Sequence, residues 1–205
     1  MTPAGPSSQP DLFGGAAPPP PLPAGLPAGL RYETDFLAPT EETALIAQIE
    51  ALPLAPMRYQ QFTALRHVVN YGGRYDFSAQ RLDEAEPIPE WLHPLRDRAA
   101  QWAGLAPAEL RHALVAQYRP GTPLGWHRDV PDYEDVLGIS LAGEAILRFR
   151  PYPPVAPKKA DVIRLAVAPR SIYLLRGEAR WGWQHSVAPT HVLRYSITFR
   201  TRRAK

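Results

Sequence analysis

Two rhythms of apolar residues divide the chain, and they change over near residue 111. Before that point Leu45, Ile46, Ile49 and Leu52 recur at helical spacing, as do Trp91, Leu95, Ala99 and Trp102. The first set predicts a helix with Thr40 as N-cap, Glu41 and Glu42 at its positive end and Pro53 as its stop. The second predicts a helix from Pro89–Glu90 that tolerates Pro94 in its opening turns and closes at Gly104. Residues 31–36 read as a first strand, with both helices packed on a sheet as supports.

Beyond residue 111, short β-rich runs cover 112–118, 136–141, 145–149, 161–167, 171–175 and 192–200. Arg119-Pro120-Gly121-Thr122-Pro123, Ala142-Gly143 and the prolines of 151–157 separate them. Many short strands, with helices confined to the front, predict a mainly β (α+β) sandwich or jelly roll. In the last run Leu193, Tyr195, Ile197 and Phe199 alternate with Arg194, Ser196, Thr198 and Arg200. One face therefore belongs to a core and the other carries two arginines and two hydroxyls. Taken alone, that polar face reads as the solvated side of an antiparallel sheet; the alternative is the lining of a barrel that holds a charged ligand.

Composition then sets boundaries. Residues 1–29 hold nine prolines, five glycines and one charge, Asp11, too little apolar surface to offset ordering entropy. They read as a disordered leader, a solvated tail before a recruiter of proline-binding modules, and leave one domain over residues 30–205. No cysteine is present, which excludes disulfides, thiolate zinc sites, iron–sulfur clusters and cysteine nucleophiles. Without a membrane-length apolar run or a targeting segment, the expectation is a cytoplasmic monomer with no membrane partner. The net charge of +3 is compatible with a polyanionic partner but does not demand one.

His127 and Asp129 stand two apart at the expected start of a strand, so in extended chain both would project to one side and could share a metal ion. His185 is the third candidate: two histidines and one carboxylate are the donor set of non-haem Fe(II) oxygenases, although zinc takes the same types. Arg194, on the polar face of the last run, is suited to clamp a carboxylate bidentately. Iron beside such a clamp suggests a 2-oxo acid co-substrate. His67, His93, His112 and His191 lack partners at metal spacing and read as structural or exposed.

At these residues the chain resembles the AlkB family of Fe(II)/2-oxoglutarate-dependent dioxygenases. The resemblance is carried by Tyr118-Arg119-Pro120-Gly121, His127-Arg128-Asp129, Val136 to Leu141, Arg180-Trp181-Gly182-Trp183-Gln184-His185, and Arg194-Tyr195-Ser196-Ile197-Thr198-Phe199-Arg200. It extends over about residues 31–203 and implies a double-stranded β-helix. It also implies that His127, Asp129 and His185 bind Fe(II), with 2-oxoglutarate and O2 as co-substrates. Arg194 would pair with the far carboxylate of 2-oxoglutarate, with Tyr118 and Ser196 beside it. Arg200 would contact substrate or support a ligand from behind. Where the family often has asparagines, this chain has Ala116 and Ser196; alanine can donate no hydrogen bond.

The segment 67–77 resembles the family's nucleotide-recognition lid, with Tyr75 and Phe77 as base-stacking candidates, Tyr71 behind them and Arg74 a phosphate contact. A hairpin with core-packed aromatics explains the same residues equally well. Arg58, Arg66, Arg81, Arg202, Arg203 and Lys205 are further phosphate candidates. The implied function is oxidative dealkylation of alkylated nucleobases in DNA or RNA, that is, nucleic-acid repair or demethylation. Hydroxylation of a tRNA modification, a protein or a lipid-like substrate is the alternative, and a jelly-roll binding module without catalysis the second.

Overall fold

The computed structural model describes residues 22–204 except 60, 61, 77–80, 84 and 157, and only the backbone of 57–59, 62–64, 74, 76, 81, 82 and 159. The chain begins with β1 (Leu30–Glu33), α1 (Pro39–Glu50), β2 (Ala55–Tyr59), β3 (Phe62–Tyr71), β4 (Arg74–Asp76) and β5 (Arg81–Asp83). It continues with α2 (His93–Ala103), β6 (Leu110–Tyr118), β7 (Leu124–His127), β8 (Tyr133–Leu141) and β9 (Ala145–Pro151). It closes with β10 (Ile163–Val167), β11 (Ile172–Leu175), α3 (Glu178–Trp181), β12 (Trp183–Val187) and β13 (Arg194–Arg202).

Antiparallel pairing orders these strands as β1-β11-β8-β13-β6-β3-β2 and β10-β9-β12-β7, with β4 and β5 forming a separate hairpin. The two large sheets face each other across Val136, Leu147, Phe149, Leu165, Tyr173 and Val187, drawn from both. α1 and α2 cover the opposite side of the seven-stranded sheet through Ile49, Leu95 and Ala99. The result is the jelly roll with two supporting helices that the sequence rhythm implies.

β13 runs through the middle of this stack. Its Tyr195, Ile197 and Phe199 pack toward the helices. Arg194, Ser196, Thr198 and Arg200 turn the other way, into the space between the sheets, and none is more than 8% exposed. The solvated outer face expected for this strand is therefore corrected: a third layer covers the polar side as well. Alternation separates two faces but does not say whether a second sheet lies over the polar one.

Local chemistry adjusts the ends of several elements. β1 stops at Glu33 rather than 36, and Asp35 turns the chain with φ 54°. Ala38, not Thr40, is the N-cap of α1, and Glu41 supplies the missing cap by accepting the Ala38 amide at 2.8 Å. Gly104 closes α2 with φ 70°, as expected. The expected run from 161 begins only at Ile163, because Asp161 accepts the Lys158 amide in a turn at 2.9 Å. Leu26 packs against the inter-sheet core and the Ala28 carbonyl accepts the Ala179 amide at 2.8 Å, so these residues of the expected leader are held by the fold. Residues 1–21 lie outside the described residues. Among the described residues no helix is long and apolar enough to cross a membrane.

Gly138 on β8 lies opposite Tyr173 on β11, and a Cβ at that position would fall within the tyrosine ring. Gly138→Ala is expected to destabilise the fold by about 1–3 kcal/mol through overpacking. A lowered midpoint in urea denaturation would record it, and an unchanged midpoint would mean that the ring has room to swing aside.

Candidate active site

The bridge between β7 and β12 sets His127 opposite His185 and Leu124 opposite Val187, so β7 carries one extra residue. Residues three apart on a regular strand point to opposite faces; the bulge lets Leu124 pack in the core while His127 turns to the same interior. His185 projects inward from β12, its ring 4.2 Å from that of His127 and 6.5 Å from that of Phe149.

Asp129 is placed differently from expectation. β7 ends at His127 and the next strand begins at Tyr133, so Asp129 sits in a loop rather than at a strand start. Arg180 shapes this loop: its buried Nη2 donates to the carbonyls of Asp129, Val130 and Tyr133 at 3.0, 2.8 and 2.9 Å. Arg128 adds a bond to the Trp181 carbonyl at 2.9 Å and stacks 3.6 Å over the Tyr152 ring. In this arrangement the donor atoms of His127, Asp129 and His185 all lie within 4.8 Å of one another, close enough to serve one metal ion.

Protonation suits that use. His127 Nδ1 lies 2.9 Å from the Gly125 carbonyl, which can only accept, so Nδ1 carries the proton and Nε2 keeps its lone pair for the interior. Burial, then the neighbouring His127, pushes His185 down to about 3, and burial also lowers His127; both rings are neutral near pH 7. Burial alone would raise the Asp129 carboxyl, but Arg200, followed by the two histidines and Arg180, holds it far below the ordinary carboxylate range. Two neutral imidazoles and one carboxylate are the forms that bind a metal.

Arg200 donates to Asp129 through Nε at 3.2 Å and Nη2 at 3.4 Å. Its Nη1 reaches His112 Nδ1 at 3.1 Å, which fixes that imidazole as an acceptor, its own protonation lowered by burial and by Arg200. Of the two roles expected for Arg200, support of a ligand from behind is the one its contacts match: the guanidinium is turned inward, 8% exposed, and bonded to Asp129.

Further along the same face, Arg194 is 1% exposed. Its Nε donates to Ser140 Oγ at 2.9 Å and its Cζ lies 5.0 Å from the centre of the Tyr118 ring. Among the described residues no carboxylate lies within ion-pairing distance of it. Tyr118, also buried, sits beside Ser196 and Arg66, which hydrogen-bond its oxygen; burial would raise this hydroxyl, but Arg66 and Arg194 bring it below its ordinary value. Arg66, expected among phosphate contacts, is thus turned into the chamber. Ala116 is where β6 meets Ser196, and its methyl adds no donor beside the serine hydroxyl.

The expected lid residues fall in different places. Tyr71 packs against the helix-side core, and burial raises its hydroxyl, as the core-packed reading expects. Gly72, with φ 75°, brings its amide to the Glu86 carbonyl at 2.6 Å, and a Cβ there would strike the Arg111 carbonyl. Past it, Tyr75 is half-buried on β4, which pairs with β5 as a hairpin. The Arg74 side chain and all of Phe77 lie outside the described residues. Arg180 and Ser140 had no role assigned from the sequence, and His112 was expected to be structural or exposed; all three bond to residues of the site. Arg180 and Ser140 both stood within segments that carry the resemblance, whereas nothing local marked His112.

A jelly roll that turns two histidines and a carboxylate toward one point, beside a buried guanidinium that pairs with no carboxylate of the described residues, has the donor set and the charge that a non-haem metal and a keto acid require. Residues 29–200 match the family described as the 2OG-Fe(II) oxygenase superfamily. The chain belongs to that superfamily, and AlkB-like proteins are among the relatives it is similar to. It is 30% identical over 185 residues to "Alkylated DNA repair protein ALKBH8 homolog" of Arabidopsis thaliana, covering 80% of this chain and 51% of that protein. It is 26% identical over 173 residues to "tRNA (carboxymethyluridine(34)-5-O)-methyltransferase alkbh8" of Xenopus tropicalis, covering 82% of this chain and 26% of that protein. The chain therefore spans about half of the first relative and a quarter of the second. The solved structure of OsALKBH1 shares its fold, with TM-score 0.69 and 16% identity over 89% of this chain and 100% of that one.

The depressed histidine has a measurable consequence. Between its ordinary value of about 6.5 and the folded value of about 3, the unfolded chain takes up a proton at His185 that the folded chain refuses. The metal-free protein is expected to lose stability as pH falls from about 6.5 toward 4, by at most about 1.4 kcal/mol per pH unit for one proton. Urea melts across that range should show the slope, and His185→Asn should make it shallower by the share of one proton, with His127 and His112, also lowered by burial, supplying the rest. A wild-type profile already flat between pH 6.5 and 5 would contradict the neutral buried imidazole.

Proposed function

We propose that this chain is an Fe(II)- and 2-oxoglutarate-dependent dioxygenase that oxidises N-alkyl groups on the bases of DNA or RNA. One observation carries the catalytic part: Arg194, buried and paired with no carboxylate of the described residues, lies in the same chamber as three convergent metal donors. A dianionic keto acid fits such a chamber because one end can reach the metal while the far carboxylate meets the guanidinium.

His127 through Nε2, His185 and Asp129 would hold the iron, which when bound supplies the oxidation of substrate at the expense of 2-oxoglutarate and O2. The protein's own part is positional. Arg200 keeps Asp129 ionised and pointed inward, and Arg180 holds the loop on which it sits. Arg194, Tyr118 and Ser196 orient the far carboxylate, and Arg66 lends a second positive charge through Tyr118. The apolar walls of the two sheets keep water from the reacting carbon. Oxidation of an N-alkyl carbon gives a hemiaminal that releases an aldehyde and the unmodified base.

The nucleic-acid part is supported by the names of the relatives and, from the chain itself, by its excess of basic residues. Tyr75, with Arg74 and Phe77, remains our candidate for gripping the extruded base. The second reading, oxidation of a modified tRNA base, is favoured by the name of the Xenopus relative. In either case the proposal is a monomer acting in the cytoplasm.

Anaerobic addition of Fe(II) and 2-oxoglutarate is expected to raise a weak visible charge-transfer band, absent in Asp129→Ala. Arg194→Met should retain metal but weaken 2-oxoglutarate about 10- to 100-fold, the value of a charge-assisted pair. In air, mass spectrometry of N-methylated DNA and RNA oligonucleotides should show loss of methyl with formaldehyde and succinate in equal amounts. Oxygen gained by a modified tRNA base would select the second reading. Every oligonucleotide and tRNA unchanged by enzyme that still consumes 2-oxoglutarate would overturn the nucleic-acid assignment.

A further inference from the structure

The four-stranded sheet has a second side. Its inner face carries His127 and His185; its outer face, on the same strands, carries Trp126 of β7, Gln184 and Ser186 of β12, Arg148 and Arg150 of β9, and Arg164 of β10. Strand register lines these residues up: Arg164 lies opposite Arg148, Arg148 opposite Ser186, and Arg150 opposite Gln184. Arginines from sequence positions well apart are thereby brought onto neighbouring strands, about 4.8 Å from backbone to backbone.

These guanidiniums are held without being neutralised. Arg148 Nε donates to Ser186 Oγ at 3.0 Å and Arg150 Nε to Gln184 Oε1 at 2.8 Å, both partners uncharged. Both guanidinium carbons lie over the Trp126 ring, at 5.3 and 4.4 Å from its centre. Nε bonding and stacking orient each planar group and leave the terminal nitrogens for another partner. No carboxylate of the described residues lies within ion-pairing distance of Arg148, Arg150 or Arg164. Arg148 gives up protons more readily than an ordinary arginine because of its burial and the nearby charge of Arg164. Like charges crowded with no counter-charge cost free energy in the isolated protein, and a row of phosphates removes that cost.

We infer that this outer face is a docking surface for the phosphate backbone of nucleic acid, on the reverse side of the sheet that carries the metal ligands. The inference rests on the nucleic-acid reading above and extends it: nucleotides flanking the reacting base would cross the rim of the jelly roll and lie along Arg164, Arg148 and Arg150. An anionic lipid surface is the other polyanion with this charge. The face argues against it, because Trp126 lies beneath the guanidiniums and none of the face's apolar side chains ranks with the exposed large ones. A nucleic acid held there by phosphates is recognised by charge and length, not by sequence.

The test uses the full chain with a fluorescent single-stranded 20-mer, and separately a methylated trinucleotide as a short substrate. In Arg148→Gln/Arg150→Gln/Arg164→Gln, 20-mer affinity is expected to fall at least tenfold at low salt. The slope of log affinity against log salt should become shallower by about 2, from about 0.7 per lost contact. Turnover of the trinucleotide and consumption of 2-oxoglutarate without substrate should stay at wild-type values. Because Arg148 and Arg150 also pack on Trp126, two controls separate charge from folding. The triple lysine variant should regain most of the affinity, and Arg164→Gln alone, an exposed change, should lower the slope by about 0.7. A glutamine variant with wild-type affinity and slope overturns the inference while leaving the nucleic-acid reading intact, as does a lysine variant as weak as the glutamine one. Wild-type protein that binds phosphatidylserine vesicles but no 20-mer overturns both.

Discussion

A guanidinium shut away from water needs an anion, and among the described residues Arg194 has none. Taking such an ion out of water costs several kcal/mol even after the surroundings relax. Arg194 recovers one hydrogen bond from a neutral serine and the face of Tyr118. Arg200, on the same face of the same strand and nearly as enclosed, has the carboxylate of Asp129. The contrast between the two divides the chamber by function. At one end positive charge fixes a metal ligand; at the other it stands ready for a carboxylate that the protein does not contain among its described residues.

The fold tolerates this because each polar group is braced by something rigid. The helices cover the apolar side of β13, so its Tyr195, Ile197 and Phe199 anchor the strand while the alternate residues are free to be polar. A one-residue bulge in β7 aims His127, and three carbonyl contacts from Arg180 set the Asp129 loop. Stability is given up at the chamber and supplied by the two apolar layers around it, the usual division between a functional site and its scaffold.

Much of this was legible in the chain. Periodicity separated helix from strand, and the alternation in residues 193–200 identified the strand that carries Arg194 and Arg200. The spacing of His127 and Asp129 pointed to a shared metal, but for a reason the structure replaces: a bulge and a loop converge them, not two positions of one strand. The buried state of β13's polar face was not legible, since it depends on a second sheet assembled from residues 124–187. Tyr71 shows the same limit, its aromatic ring serving the core where spacing alone allowed a lid. The basic outer face is the extreme case. Arg148 and Arg150 alternate on one strand, but Arg164, Ser186 and Gln184 join them only through strand register, so no local window of sequence contains the face.

The most direct test is anomalous diffraction from crystals grown with Mn(II), a redox-inert stand-in for iron, and 2-oxoglutarate. The expected result is one manganese peak within bonding distance of His127, Asp129 and His185, with the far carboxylate of the keto acid on Arg194. Manganese bound elsewhere, or a keto acid whose far carboxylate lies away from Arg194, would contradict the chamber described here.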